Sequence, residues 1–209
     1  MQTGNTVFVG LGGSNTHTQT KPYGWAKSLT SVFCFTLGAL FFSSLSRLMG
    51  PLQRLTLASS FFLQSIFILV AAAVIESGLV DGRIDLISRD IDWRTEAPIA
   101  LLSFQAPGQM VGSRVLALSE IPTVVLTSVL CDFASDPELV APLGRNVKRN
   151  RRAGAFFGIL IGAIAGGWII RGTGQMQVAL WVAFGIKVAV SICWVFWPEK
   201  EKKKVLAGV

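Results

Sequence analysis

Five stretches of the chain stay apolar long enough to cross about 30 Å of hydrocarbon, which takes roughly 20 helical residues. They cover residues 28–48, 56–76, 98–118, 154–170 and 178–197. The runs are unbroken and do not alternate, which argues for helices over the strands of a membrane barrel. A sixth run, 121–134, would make only about 20 Å of helix. A seventh, 3–13, is a fragment of similar character. The hydrophobic share of 51% and the charged share of 15% agree with this reading, because soluble domains carry about 25% charge. The expected fold is an all-α, polytopic transmembrane bundle with six full or near-full spans plus an N-terminal partial helix. Its first partner is the lipid bilayer.

Nineteen basic residues against 12 acidic ones give a net charge of +7, which raises nucleic acid as a partner. The basic residues sit in short loops between apolar runs, so they report topology and not nucleic-acid binding. Cys34, Cys131 and Cys193 lie in or beside apolar stretches and read as small hydrophobes. A single histidine, His17, removes any metal site that needs two imidazoles. No metal and no cofactor is expected. The first 11 residues lack a basic region and do not read as a signal peptide.

Grouped by loop, Lys21, Lys27, Arg83, Arg89, Arg94, the cluster Arg145 to Arg152 and the tail lysines fall on one side. Arg47, Arg54 and Arg171 fall on the other. This bias places the C-terminus in the cytoplasm. It holds only if 121–134 crosses the membrane. If that segment were re-entrant, the 145–152 cluster would lie opposite the 83–94 loop.

A shift of 124 positions superposes 32–47 on 156–171 without a gap, matching Phe33, Gly38, Ala39 and Arg47 to Phe157, Gly162, Ala163 and Arg171. Two parallel repeats follow, a signature of transporter folds. The chain then divides into 1–80, a first unit lacking its first helix; 81–97, an amphipathic cytoplasmic linker; 98–197, the second unit; and 198–209, a basic cytoplasmic tail. By the offset, the partner of 98–118 would precede Met1, so the chain reads as starting inside a longer design.

Gln2-Thr3-Gly4-Asn5-Thr6, the stretch 100–128 followed by Cys131-Asp132, and the run 146–158 resemble the YoaK-type family of multi-pass membrane proteins, in its fungal-looking branch. The resemblance covers nearly the whole chain. It implies a membrane location and a helical fold and names no substrate. It also implies a helix before the Thr-Gly-Asn motif, which this chain lacks.

Ionisable groups within a span cost about 2.5 to 3.5 kcal/mol on insertion scales and ask for a partner or a hydrated cavity. Lys187 and Asp132 lie at matching depths, so a pair between them is one expectation. The alternatives are that Lys187 snorkels and that Asp132 caps a helix end. Gln105 and Gln109 share a helical face with Gly108 and Gly112, and Arg114 sits near Glu120. That stripe either lines a polar pathway or holds helices together. Gly158, Gly162 and Gly166 recur every four residues and suggest close helix packing. Thr3, Gly4 and Asn5 fall opposite Thr127 and Ser128 under the offset. They either form a central site at short-helix ends or bond back onto their own helices. Ser135 to Glu138 has the spacing of a capping box.

No matched acid, base and nucleophile is present, so the chain does not read as an enzyme. The leading expectation is a transporter-like protein that binds or moves a small solute or ion where the two repeats meet. The alternative is a membrane scaffold or assembly protein.

Overall fold

A computed structural model describes residues 2–14, 24–82, 92–117 and 126–198. Among them are eight α-helices and no strand. They are α1 (Gln2–Gly13), α2 (Gly24–Met49), α3 (Arg54–Glu76), α4 (Glu96–Gln105), α5 (Pro107–Val115), α6 (Leu126–Ala134), α7 (Val147–Thr173) and α8 (Met176–Phe196), with a 3-10 turn at Trp93–Thr95 before α4. Four of them, α2, α3, α7 and α8, are long and apolar enough to cross a membrane. Phe33, Leu40, Ile161 and Ile186 are each at least 60% exposed on these helices, as side chains meant for lipid are. Trp25, Trp168 and Trp197 lie exposed near helix ends, where an interfacial belt would place them.

The core forms around α3. It packs against α8 over most of its length, and against α4 and α5 on another side, while α2 closes over α4 and α5. Phe104 of α4 anchors this junction. Its ring centroid lies 4.9 Å from that of Phe67, 5.6 Å from Phe41 and 6.2 Å from the buried Phe42. Each well-placed aromatic pair adds about 0.5–1.5 kcal/mol beyond its buried area. Gly38 of α2 faces the Phe104 carbonyl, and the Pro107 ring would lie 3.0 Å from any Cβ placed there.

The apolar run 98–118 is not one uninterrupted helix. It is resolved into α4 and α5, joined through Ala106. Pro107 has no N–H to give to the Ser103 carbonyl, and its ring crowds the preceding turn, so the ladder is interrupted there. The run 121–134 also changes. Residues 118–125 lie outside the described set, and the rest forms α6, nine residues or about 14 Å.

The packing of α8 on α3 departs from the expected topology. α3 and α8 run antiparallel: Lys187 meets Gln64, Ser191 Oγ donates to the Ala58 carbonyl at 2.8 Å, and Met176 N–H donates to the Gly82 carbonyl at 3.1 Å. The two helices were expected to run in the same direction, as parallel repeats require. α8 is instead turned over relative to α3. The loop grouping that placed Arg171 opposite the 83–94 loop therefore does not hold. Ile84, Ile87 and Ile91, expected on an amphipathic helix, lie outside the described residues.

The 135–146 connection is a run of turns and not the short helix that the Ser135 to Glu138 spacing predicts. Pro137 and Pro142 lack the amides a helix needs. Ser135 Oγ bonds back to the Cys131 carbonyl at 2.8 Å, and Asp136 takes over the capping role. Its Oδ1 accepts from the Glu138 amide and from Asn146 Nδ2, both at 2.9 Å, and its Oδ2 lies 3.3 Å from Arg152. Asn146 in turn caps α7 by accepting from the Arg149 amide at 2.9 Å. The Arg149 guanidinium, 6% exposed, donates to the Leu139 and Ala141 carbonyls at 2.6 and 2.5 Å.

Removing a buried charged donor of several carbonyls strands all of them. Arg149→Ala is expected to open this connection, seen as at least tenfold faster proteolytic cleavage within 135–146 while α2 and α3 stay intact. The Glu138 amide, then Asn146 and the nearby arginines, hold the Asp136 carboxyl below its ordinary value of 3.8. A depressed acid stabilises the fold above its unfolded value and loses that contribution as pH falls through its folded value. The same cleavage is thus expected to be slow at neutral pH and to accelerate below about pH 4.

Candidate functional site

The site begins with an amide in the middle of an apolar helix. Gln64 is fully buried on α3, with Ser65 beside it equally buried. Both Gln64 polar atoms are engaged: Nε2 donates to Ser60 Oγ at 3.2 Å, one helical turn earlier, and Oε1 accepts from Lys187 Nζ of α8. Lys187 is 8% exposed, and its ammonium sits 5.3 Å from the centroid of the Phe61 ring, a cation–π distance. Among the described residues no carboxylate lies within 4.0 Å of Lys187. Among the described residues, a neutral amide and an aromatic face hold Lys187.

The kink borders this pair. Gly108, the second residue of α5, packs against the Gln64 side chain so closely that a Cβ there would overlap it. Just before the kink, Gln105 Oε1 is buried without a hydrogen-bond partner. A second polar group sits on the far side of α4. Ser103 Oγ bonds Ser31 Oγ of α2 at 2.9 Å, Ser31 Oγ accepts from Asn5 Nδ2 of α1 at 2.9 Å, and Gln2 Nε2 reaches the same hydroxyl at 3.3 Å. Four helices thus place their amides and hydroxyls around the Pro107 break between α4 and α5.

Several expected site residues belong here and several do not. Lys187, Gln105 and Asn5 take part, and Gln109 follows Gly108 on α5, partly buried. Thr3 and Gly4 are exposed on α1, and no atom comes within 4 Å of a Cβ built at Gly4. Arg114 is exposed near the end of α5, and Glu120, its expected neighbour, is outside the described residues. Thr127, Ser128 and Asp132 lie exposed on α6, which touches only α7 among the described helices. The Asp132–Lys187 pair therefore does not form. The Asp132 carbonyl accepts from Arg152 at 3.4 Å, and Lys187 has Gln64. The expected meeting of Thr3-Gly4-Asn5 with Thr127-Ser128 is also absent.

Sequence reasoning missed Gln64, Ser31 and Ser103. Gln64 did leave a signal, since a lone amide in the middle of a 23-residue apolar helix is as costly to leave unpaired as it is rare. The Gly158, Gly162 and Gly166 face, expected to pack closely, has nothing within 4 Å of an added Cβ. Among the described residues no group of three or more His, Cys, Asp or Glu side chains is placed to hold a metal.

Among the described residues, an all-helical architecture with four apolar helices of bilayer length fits the class of helical membrane proteins. The chain belongs to the family described as protein of unknown function DUF1275, whose model matches residues 1–193. Among curated proteins and among solved structures, none matches.

Proposed function

We propose that the chain is a transport-type membrane protein built from two inverted units, which binds a small acidic solute where α3 and α8 cross beside the α4–α5 kink. The observation that carries this is Lys187, a lysine within a membrane-length helix whose hydrogen-bond partner is a neutral amide. An intramembrane ionisable group marks a functional site by default. With no carboxylate against it, the missing counter-charge is one a carboxylate- or phosphate-bearing solute supplies.

The two-unit reading has support beyond the sequence offset. Moved by 124, the bounds of α2 fall at 148 and 173, against Val147–Thr173 for α7, and α1 begins at 126, where α6 begins. Lys187 moves back to 63, one residue from Gln64. The polar pair therefore sits at the midpoint of an antiparallel crossing of equivalent helices, as expected where inverted repeats share an in-plane axis. Kinked helices at such an interface free backbone groups for a solute.

Orientation follows from the same arrangement. Arg47, Arg54 and Arg114 lie at the ends of α2, α3 and α5 that share a side with the end of α8, whose lysine tail follows. We place that side, and the C-terminus, in the cytoplasm, a reading supported by its richer positive charge.

The test is thermal unfolding of the full-length protein in detergent across a set of small carboxylates and phosphates, since a ligand bound only to the folded state raises its stability. A solute present at about 100 times its Kd should add about 2.7 kcal/mol. That gain should vanish in Lys187→Gln, and the same solute should enter proteoliposomes carrying the wild-type chain. If no acidic solute stabilises the protein and Lys187→Met melts above wild type, the proposal fails and the scaffold alternative stands.

A further inference from the structure

The connection between α6 and α7 turns its apolar side chains outward and its backbone inward. Val140 is 99% exposed, Leu143 77% and Val147 54%. The carbonyls of Asp136, Glu138, Leu139, Ala141, Pro142 and Leu143 all accept hydrogen bonds from within the connection and the start of α7. Their donors are the Leu139, Ala141 and Arg145 amides, the Arg149 guanidinium and the Asn150 side chain. Pro137 and Pro142 carry no N–H to satisfy. Irregular backbone is costly in an apolar medium because its polar groups go unpaired. Here most of them are paired, so the loop can leave water at little cost.

We infer that the 139–147 loop is an interfacial anchor, which seats Val140 and Leu143 in the upper part of a lipid leaflet and gathers anionic headgroups around Arg145, Lys148 and Arg151. The inference does not rest on the Lys187 reading. Val147 begins α7, whose apolar window has no buried residue, so the loop continues a lipid-facing surface at headgroup level. Residues 135–152 hold five basic side chains against two acidic ones, and Arg145, Lys148 and Arg151 are exposed. Apolar side chains flanked by cations match a surface that is apolar within and anionic at its rim. A second copy of the chain fits less well, because a two-fold contact through this loop would set the same cations against each other.

The full-length protein carrying Val140→Trp, a substitution at a fully exposed position, is reconstituted into phosphatidylcholine vesicles with a minor share of phosphatidylglycerol. One lipid at a time carries bromine on its acyl chains, and iodide, when added, is present on both sides. The added emission, over that of the six native tryptophans, is expected to lose at least half its intensity to brominated lipid and little to iodide. Brominated phosphatidylglycerol is expected to quench about twofold more than brominated phosphatidylcholine at the same mole fraction. Arg145→Gln combined with Lys148→Gln, or high salt, is expected to remove that preference and leave the quenching. Quenching by iodide alone would place the loop in water, and protection from both quenchers would place a protein surface over it; either overturns the anchor. Equal quenching by the two lipids overturns the recognition of anionic headgroups.

Discussion

Replacing Gln64 by leucine is expected to be among the most damaging single changes in this protein. The amide is the hydrogen-bond partner of the Lys187 ammonium, and both lie inside the α3–α8 contact. Leucine would leave the cation against an apolar wall with only the Phe61 ring for company. Breaking a buried charged contact from one side costs about 3–5 kcal/mol where the charge cannot escape. The partner lost here is a neutral amide and not a charge, so about 2–4 kcal/mol is expected, or roughly 5–15 °C in Tm for a chain of this size. The companion change separates mechanism from simple loss of packing. Lys187→Met in the Gln64→Leu background removes the stranded cation, and the double variant is expected to recover most of the stability. If it melts as low as the single variant, the Gln64–Lys187 bond does not carry the contact. Recovery of stability with loss of solute binding would show that the pair is kept for recognition and not for folding.

The second large effect is steric. Gly38→Ala places a methyl group where the Phe104 carbonyl and the Pro107 ring already sit. Neither can give way cheaply: one is backbone, and the other belongs to the kink. α2 would have to lift away from α4 and α5, disturbing the ring contacts of Phe104 with Phe41 and Phe42. Overpacking at a rigid contact costs about 1–3 kcal/mol, and a separation of whole helices puts the expected loss at or above the top of that range. Gly162, the position equivalent to Gly38 under the 124-residue offset, is open on α7. Gly162→Ala is expected to raise Tm by about 2–4 °C, because alanine favours the helix by about 1 kcal/mol over glycine and meets nothing there. Equal losses at both positions would show that the Gly162 face is covered in the folded protein.

That contrast also shows what a single sequence can and cannot reveal. The long helices were legible because lipid-facing segments need nothing but continuous apolar length, and α2, α3, α7 and α8 fall within a few residues of the runs that announce them. The direction of the second half was not legible. It hangs on whether 121–134 crosses the bilayer, and a segment of intermediate length gives hydropathy no way to decide. The basic residues then followed that choice to one side or the other. Lys187 announced itself as an intramembrane cation. Its partner did not, because a matching charge was the obvious expectation and the protein uses the neutral Gln64 instead. Thr127 and Ser128 were drawn into the expected site by the 124-residue offset, and Asp132 by its depth matching that of Lys187. Equivalence does not imply contact, and α6 lies apart from the kink.

The sparse packing of α6 and α7, which meet the rest of the described helices only where α7 touches α8, also governs how the protein comes apart. No residue in the apolar window of α7 is buried, and α6 touches none of the other described helices. α3, by contrast, is locked between α8, α4 and α5. Local opening free energies scale with such contacts, so the two regions form separate cooperative units. Amide hydrogen exchange in detergent should therefore proceed in two stages. Amides of residues 126–173 should exchange through a low-energy opening that leaves α3 and α8 fully protected, and the α3 amides around Gln64 should exchange only with global unfolding.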